Sequence, residues 1–151
     1  VVEVGFLNTK VSDSELKYIE QLSELKVLWL DGTEVSDAGL QYLKGLTNRR
    51  LLSLHGTEVS SAGLVHLKGL TKLEELHLDD TQVTDAGLVH LKGMTTLELL
   101  WLKQTQVTDA GLEHLKGLTN LKLLYLNGPQ VTDEGIKELQ QALPNCEIEH
   151  W

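Results

Sequence analysis

Leu25-Lys26-Val27-Leu28-Trp29-Leu30-Asp31-Gly32-Thr33-Glu34-Val35-Ser36-Asp37-Ala38-Gly39-Leu40 returns, slightly varied, as Leu97-Glu98-Leu99-Leu100-Trp101-Leu102-Lys103-Gln104-Thr105-Gln106-Val107-Thr108-Asp109-Ala110-Gly111-Leu112. The displacement, residue 25 to residue 97, is three periods of 24. Copies begin at Val1, Leu25, Arg49, Leu73, Leu97 and Leu121. Their common pattern is L-x-x-L-x-L-x-x-T-x-V-(S/T)-D-A-G-L-x-x-L-x-G-L-T-x. Self-similarity at such a period is the mark of an array of stacked units.

Each copy predicts one strand and one short helix. Leu28 and Leu30 alternate with Val27, Trp29 and Asp31, which is strand periodicity, whereas Leu40 and Leu43 are three apart, which is helical. Ser36 or Thr84 supplies an N-cap, and the following Asp37, Asp85, Asp109 or Asp133 a first-turn acid, so capping accounts for that aspartate row. Ser12 and Glu15 fit a capping box. Gly45, Gly69, Gly93 and Gly117 fall where a left-handed residue would end each helix. Thr9, Thr33, Thr57, Thr81 and Thr105 form a ladder expected to satisfy turn groups of the following coil. No unit of this size buries its own apolar side, so copies must stack, with strands on one side and helices on the other.

These residues resemble the leucine-rich repeat family, whose signature is L-x-x-L-x-L-x-x-(N/C/T)-x-L. The resemblance spans the whole chain. The T-x-V-T-D-A-G-L variant is most similar to bacterial-type repeats, and is related to the cysteine-containing repeats of F-box adaptors, with Thr in place of Asn or Cys. It implies an α/β fold: a right-handed solenoid with a parallel β-sheet on the concave face and short helices on the convex face. It also implies a single domain over 1–151, a non-catalytic protein-binding role and no cofactor.

The irregular positions are few. Arg49 stands where the other copies have Leu, and its stem is expected to carry the guanidinium out to solvent. Pro129 replaces the ladder threonine. From about residue 142 the period breaks, and Cys146 and Ile148 alternate with Glu147 and Glu149, as in a capping edge strand blunted by acids. Cys146 is expected in the core of that cap.

Composition narrows the function. The 151 residues carry 13 basic and 22 acidic side chains, a net charge of −9. That opposes binding to nucleic acid or to an anionic membrane surface. No apolar run approaches the ~20 residues of a membrane span. The single cysteine excludes an internal disulfide framework. The first residues have no basic-then-apolar pattern, so no signal peptide is expected here, and localisation stays open.

The strand leucines point inward, so alternate residues form three concave rows. The third-position row is Glu3, Val27, Leu51, Glu75, Leu99, Leu123; the fifth is Gly5, Trp29, Ser53, His77, Trp101, Tyr125; the seventh is Leu7, Asp31, His55, Asp79, Lys103, Asn127. Two apolar patches are expected: Val27, Trp29 and Leu51 near the start, and Leu99, Trp101, Leu123 and Tyr125 near the end. The fold needs none of them, and such patches mark contact sites. The favoured reading is therefore a protein or peptide partner bound on the concave face. Trp29, Trp101 and Tyr125 would be its anchors, and His55, His77, Asp79 and Lys103 would set polar register. A structural segment of a longer array, or self-association, is the second reading.

A metal-dependent hydrolase built on the His/Asp cluster is a remote third. An open sheet is expected to supply no pocket, and the cluster reads more simply as a charge ladder across strands, Asp31, His55, Asp79, Lys103. His66, His90 and His114, and Lys44, Lys68, Lys92 and Lys116, read as solvated convex rows.

Overall fold

The computed structural model describes residues 2–151. Seven parallel strands run in chain order across one sheet: β1 (Glu3–Gly5), β2 (Val27–Trp29), β3 (Leu51–Ser53), β4 (Glu75–His77), β5 (Leu99–Trp101), β6 (Leu123–Leu126) and β7 (Glu147–His150). Every pairing is in register at the 24-residue period, from Glu3↔Val27 to Leu126↔His150. Between strands the chain returns through short helical turns: α1 (Asp13–Leu16), α2 (Asp85–Leu88), α3 (Asp109–Leu112), and 3₁₀ segments such as Gly39–Leu43 and Gly63–Leu67. The one long helix among the described residues is α4 (Asp133–Ala142), before the capping strand β7. This is the α/β leucine-rich repeat solenoid, with sheet and helices on opposite faces. No helix among the described residues is long and apolar enough to cross a membrane.

The core is a stack of leucine layers. Leu28, Leu52, Leu76, Leu100 and Leu124 are fully buried, as are Leu30, Leu54, Leu78 and Leu102, with Leu126 nearly so. Leu40, Leu64, Leu88 and Leu112 close it from the helical side. A parallel ladder with apolar residues one period apart thus extends each layer through the molecule. Cys146 sits in the terminal layer, and burial first, then Glu147, pushes its thiol up to about 11.

The conserved-looking rows do other work than their local sequence suggests. The aspartates are inter-coil clasps. Asp13 accepts from the Ser36 N–H at 2.7 Å and its hydroxyl at 2.5 Å; Asp37 holds Ser60 (2.7 and 2.6 Å), Asp85 holds Thr108 (2.7 and 2.6 Å) and Asp109 holds Thr132 (2.8 and 2.6 Å). Helix capping alone therefore does not account for them. A Cβ on Gly39, Gly63, Gly111 or Gly135 would fall into the clasping carboxylate of the preceding coil, so the D-A-G spacing records two neighbouring coils at once.

Ser12 and Glu15 do meet: the Glu15 carboxylate accepts from the Ser12 hydroxyl (2.6 Å) and N–H (2.8 Å). Those bonds, with help from Ser14, hold the Glu15 carboxyl down at about 2.

Two further rows depart from expectation. The threonine hydroxyls donate within their own coil, to the carbonyl three residues back: Thr33 to Leu30, Thr57 to Leu54, Thr81 to Leu78 and Thr105 to Leu102, at 2.6–2.7 Å. They close the turn leaving the strand instead of reaching the next coil. The left-handed residues sit in that same turn, at Asn8, Gly32, Gly56, Asp80, Gln104 and Gly128, with φ between 52° and 116°. Gly45, Gly69, Gly93 and Gly117 are not left-handed, because their helical segments run out through right-handed lysines such as Lys44 and Lys92.

Arg49 is the largest departure. It is only 1% exposed, and none of its guanidinium nitrogens has a hydrogen-bond partner. Its side chain lies in the leucine layer and does not snorkel. Burial alone lowers its pKa to about 10.

Candidate functional site

The strand register places the expected concave residues side by side. Val27 pairs with Leu51, Leu99 with Leu123, and Trp101 with Tyr125. Val27, Leu51, Leu99, Leu123, Trp29, Trp101 and Tyr125 are all half-buried, so each ring or aliphatic chain leans on its neighbours instead of standing free.

The aromatic row is continuous. Trp101 and Tyr125 have ring centroids 4.3 Å apart, and His77 stacks on Trp101 at 4.7 Å with planes 20° apart. Trp29 meets His77 edge-on at 5.8 Å, although their strands are two apart and two strand spacings amount to roughly 9.6 Å. The intervening Ser53 is small and fully buried, and its hydroxyl donates to Asp31 at 2.9 Å, which leaves room for the two rings to close over it. The two separate apolar patches expected from sequence are thus one stripe bridged by His77.

Trp151 extends the stripe. The pairing Leu126↔His150 carries the seventh-position row from Asn127 to Trp151, so its ring reaches Tyr125 edge-on at 6.5 Å. The 24-residue step from Asn127 was the available signal. The break in the leucine pattern after residue 142 masks that step. Lys103 lies over both rings, its Nζ 4.6 Å from the Tyr125 centroid and 3.9 Å from that of Trp151. Such distances are those of cation–π contacts.

The polar residues do not form the expected charge ladder. Asp79 is 7% exposed, and its Oδ1 accepts from the Lys103 backbone N–H at 2.8 Å. Burial raises its pKa, against the pull of that N–H and the charges of His77, His55 and Lys103. His55 approaches Asp80, not Asp79, at 4.0 Å, and His77 Nε2 pairs with Glu75 at 2.6 Å along its own strand. Asp79 thus goes to a backbone N–H of the next coil and His77 to a carboxylate of its own strand, while His55 reaches across to Asp80.

A second correction concerns shape. A hollow of about 470 Å³ opens on this face, beside the turns that leave β2 to β6. Asp31, His55, His77, Asp79, Asp80, Trp101, Lys103, Gln104, Asn127 and Trp151 line it. The open sheet therefore does supply a concavity, walled at one end by Trp151. Among the described residues, no three His, Cys, Asp or Glu side chains converge on a point that could hold a metal ion. The groups that face it are aromatic rings, imidazoles, carboxylates and one ammonium.

Comparison with known proteins agrees with this architecture. A family model described as a leucine-rich repeat matches residues 69–91. No curated protein matches. Among solved structures, an internalin from Listeria monocytogenes superposes with a TM-score of 0.77 at 24% identity, covering 88% of this chain and 36% of that one. Internalin C2 from the same organism gives 0.73 at 24% identity, covering 98% of this chain and 70% of that one. The chain thus spans about a third of the first neighbour's length, and at these identities the likeness is one of fold.

Proposed function

The chain carries the leucine-rich repeat fold and signature, and from that premise we propose that it is a non-catalytic module binding a protein or peptide through its concave sheet. Leucine-rich repeat folds are typically protein–protein interaction modules. The observation that carries the reading to this face is the unbroken stripe Trp29, His77, Trp101, Tyr125, Trp151. The inward leucines alone satisfy the fold, so the stripe is surplus to it. Large rings held by stacking lose little side-chain freedom on binding, which suits them as anchors. Val27, Leu51, Leu99 and Leu123 flank the anchors, and His55, His77, Asp79 and Lys103 supply polar register around them.

The test is affinity capture with wild type and Trp101→Asp as paired baits, both shown folded by circular dichroism. A protein retained by wild type and lost by the variant is the expected result. Equal, empty captures together with concentration-dependent association of the wild-type chain in sedimentation would favour a self-associating repeat segment instead.

A further inference from the structure

We infer that the hollow beside the aromatic stripe receives an arginine side chain of the bound polypeptide. The inference rests on the concave-face reading above and specifies the chemistry of its partner. Three observations carry it.

The first is charge. Asp31, Asp79 and Asp80 line the hollow against a single ammonium, that of Lys103, so carboxyl groups outnumber it three to one. The whole chain, at −9, has the same sign. A cationic guest is attracted both at long range and on contact.

The second is unmet hydrogen bonding. Asp31 Oδ2 is buried without a partner, although Oδ1 is engaged by Ser53. Asp79, more than nine-tenths buried, uses Oδ1 for the Lys103 N–H. The Trp101 indole N–H is also buried and unpartnered. Lone buried polar atoms are costly, and a ligand that satisfies them relieves that cost. A guanidinium offers a fork of donors to two carboxylates, and the peptide carbonyl beside it offers an acceptor to Trp101.

The third is the wall. Lys103 already lies over the Tyr125 and Trp151 rings, so this part of the hollow stabilises a cation. A planar guanidinium that displaces this ammonium stacks on the same faces and sheds its hydration more easily, which favours arginine over lysine as the guest.

The probe is the tripeptide acetyl-Gly-Arg-Gly-amide, titrated into the ¹⁵N-labelled chain and followed at the indole N–H signals. The three tryptophans provide internal controls, because Trp101 and Trp151 line the hollow and Trp29 does not. The expected result is a saturable shift of the Trp101 and Trp151 signals with Trp29 unmoved. The shift should be absent with the Gln analogue, and the doubly neutralised Asp31→Asn, Asp80→Asn chain should bind about tenfold more weakly. Equal shifts with the Gln analogue, or no loss on neutralisation, overturn the inference. A protein captured in a Trp101-dependent way but indifferent to Asp31→Asn and Asp80→Asn would overturn it while leaving the proposed function standing. No arginine response and no Trp101-dependent capture would end both.

Discussion

The coils at residues 49–72 and 97–120 share a register and the same inward leucines on their strands, yet they hold their neighbours differently. In the later coil Leu97 completes the core layer, and Asp109 clasps Thr132 through two hydrogen bonds. In the earlier one Arg49 takes the leucine site with its guanidinium unpartnered, and Ser61 replaces the clasping aspartate. The Ser61 hydroxyl accepts from the Thr84 N–H at 2.9 Å and lies 3.0 Å from the Thr84 hydroxyl, so a neutral side chain stands in for a charged one. The concave side differs too, with Ser53 where the later coil has Trp101. The difference teaches that a solenoid tolerates a weakened coil when the layers on either side are complete, since stability is shared between each unit and its interfaces.

The comparison can be broken by making the strong coil resemble the weak one. Leu97→Arg should have the largest effect, a loss of about 4 kcal/mol or more in chemical denaturation, because it buries a second unpaired charge. The reverse change, Arg49→Leu, should raise stability by about 2–4 kcal/mol, since it fills the layer and removes the buried cation. A neutral result for Arg49→Leu in the same melt would mean that the guanidinium finds solvent. Asp109→Ala should cost about 1–2 kcal/mol by removing two hydrogen bonds to a carboxylate that water replaces only in part at the exposed Thr132. Ser61→Asp sharpens the contrast from the other side. Gly87 leaves the same gap that the other clasps use, so this variant should gain about 1 kcal/mol, read as a higher denaturation midpoint with unchanged slope.

Much of this was legible in the sequence, and the reason is the period. Leu28, Leu52, Leu76 and Leu100 recur at 24 residues, so identifying one strand places the others and assigns every concave row. What stayed hidden were contacts between residues 23 or more apart whose local surroundings suggest a different role. Asp85 next to Thr84 looks like a helix cap, and nothing nearby reveals that its carboxylate belongs to Thr108. Arginine at a repeat surface ordinarily reaches solvent, whereas the leucine layer around Arg49 leaves its side chain no way out. The hollow escaped because sequence gives the order of side chains along a row but not how far the rings lean. Ser53 letting Trp29 close on His77, and Trp151 standing as an end wall, are consequences of side-chain volume in three dimensions.

The aspartate clasp gives the molecule a direction. Each clasping carboxylate reaches forward into the coil that follows, and the glycine of that coil makes room for it, so each interior unit holds one half of two different joints. Cutting out a whole period and rejoining the chain brings a forward half against a backward half again, and the seam closes as though nothing had been removed. A cut one residue longer or shorter sets an aspartate against the wrong side chain and a methyl-bearing residue against a carboxylate. Length, more than composition, therefore decides which insertions and deletions this protein can absorb, and it can be lengthened or shortened only in whole turns.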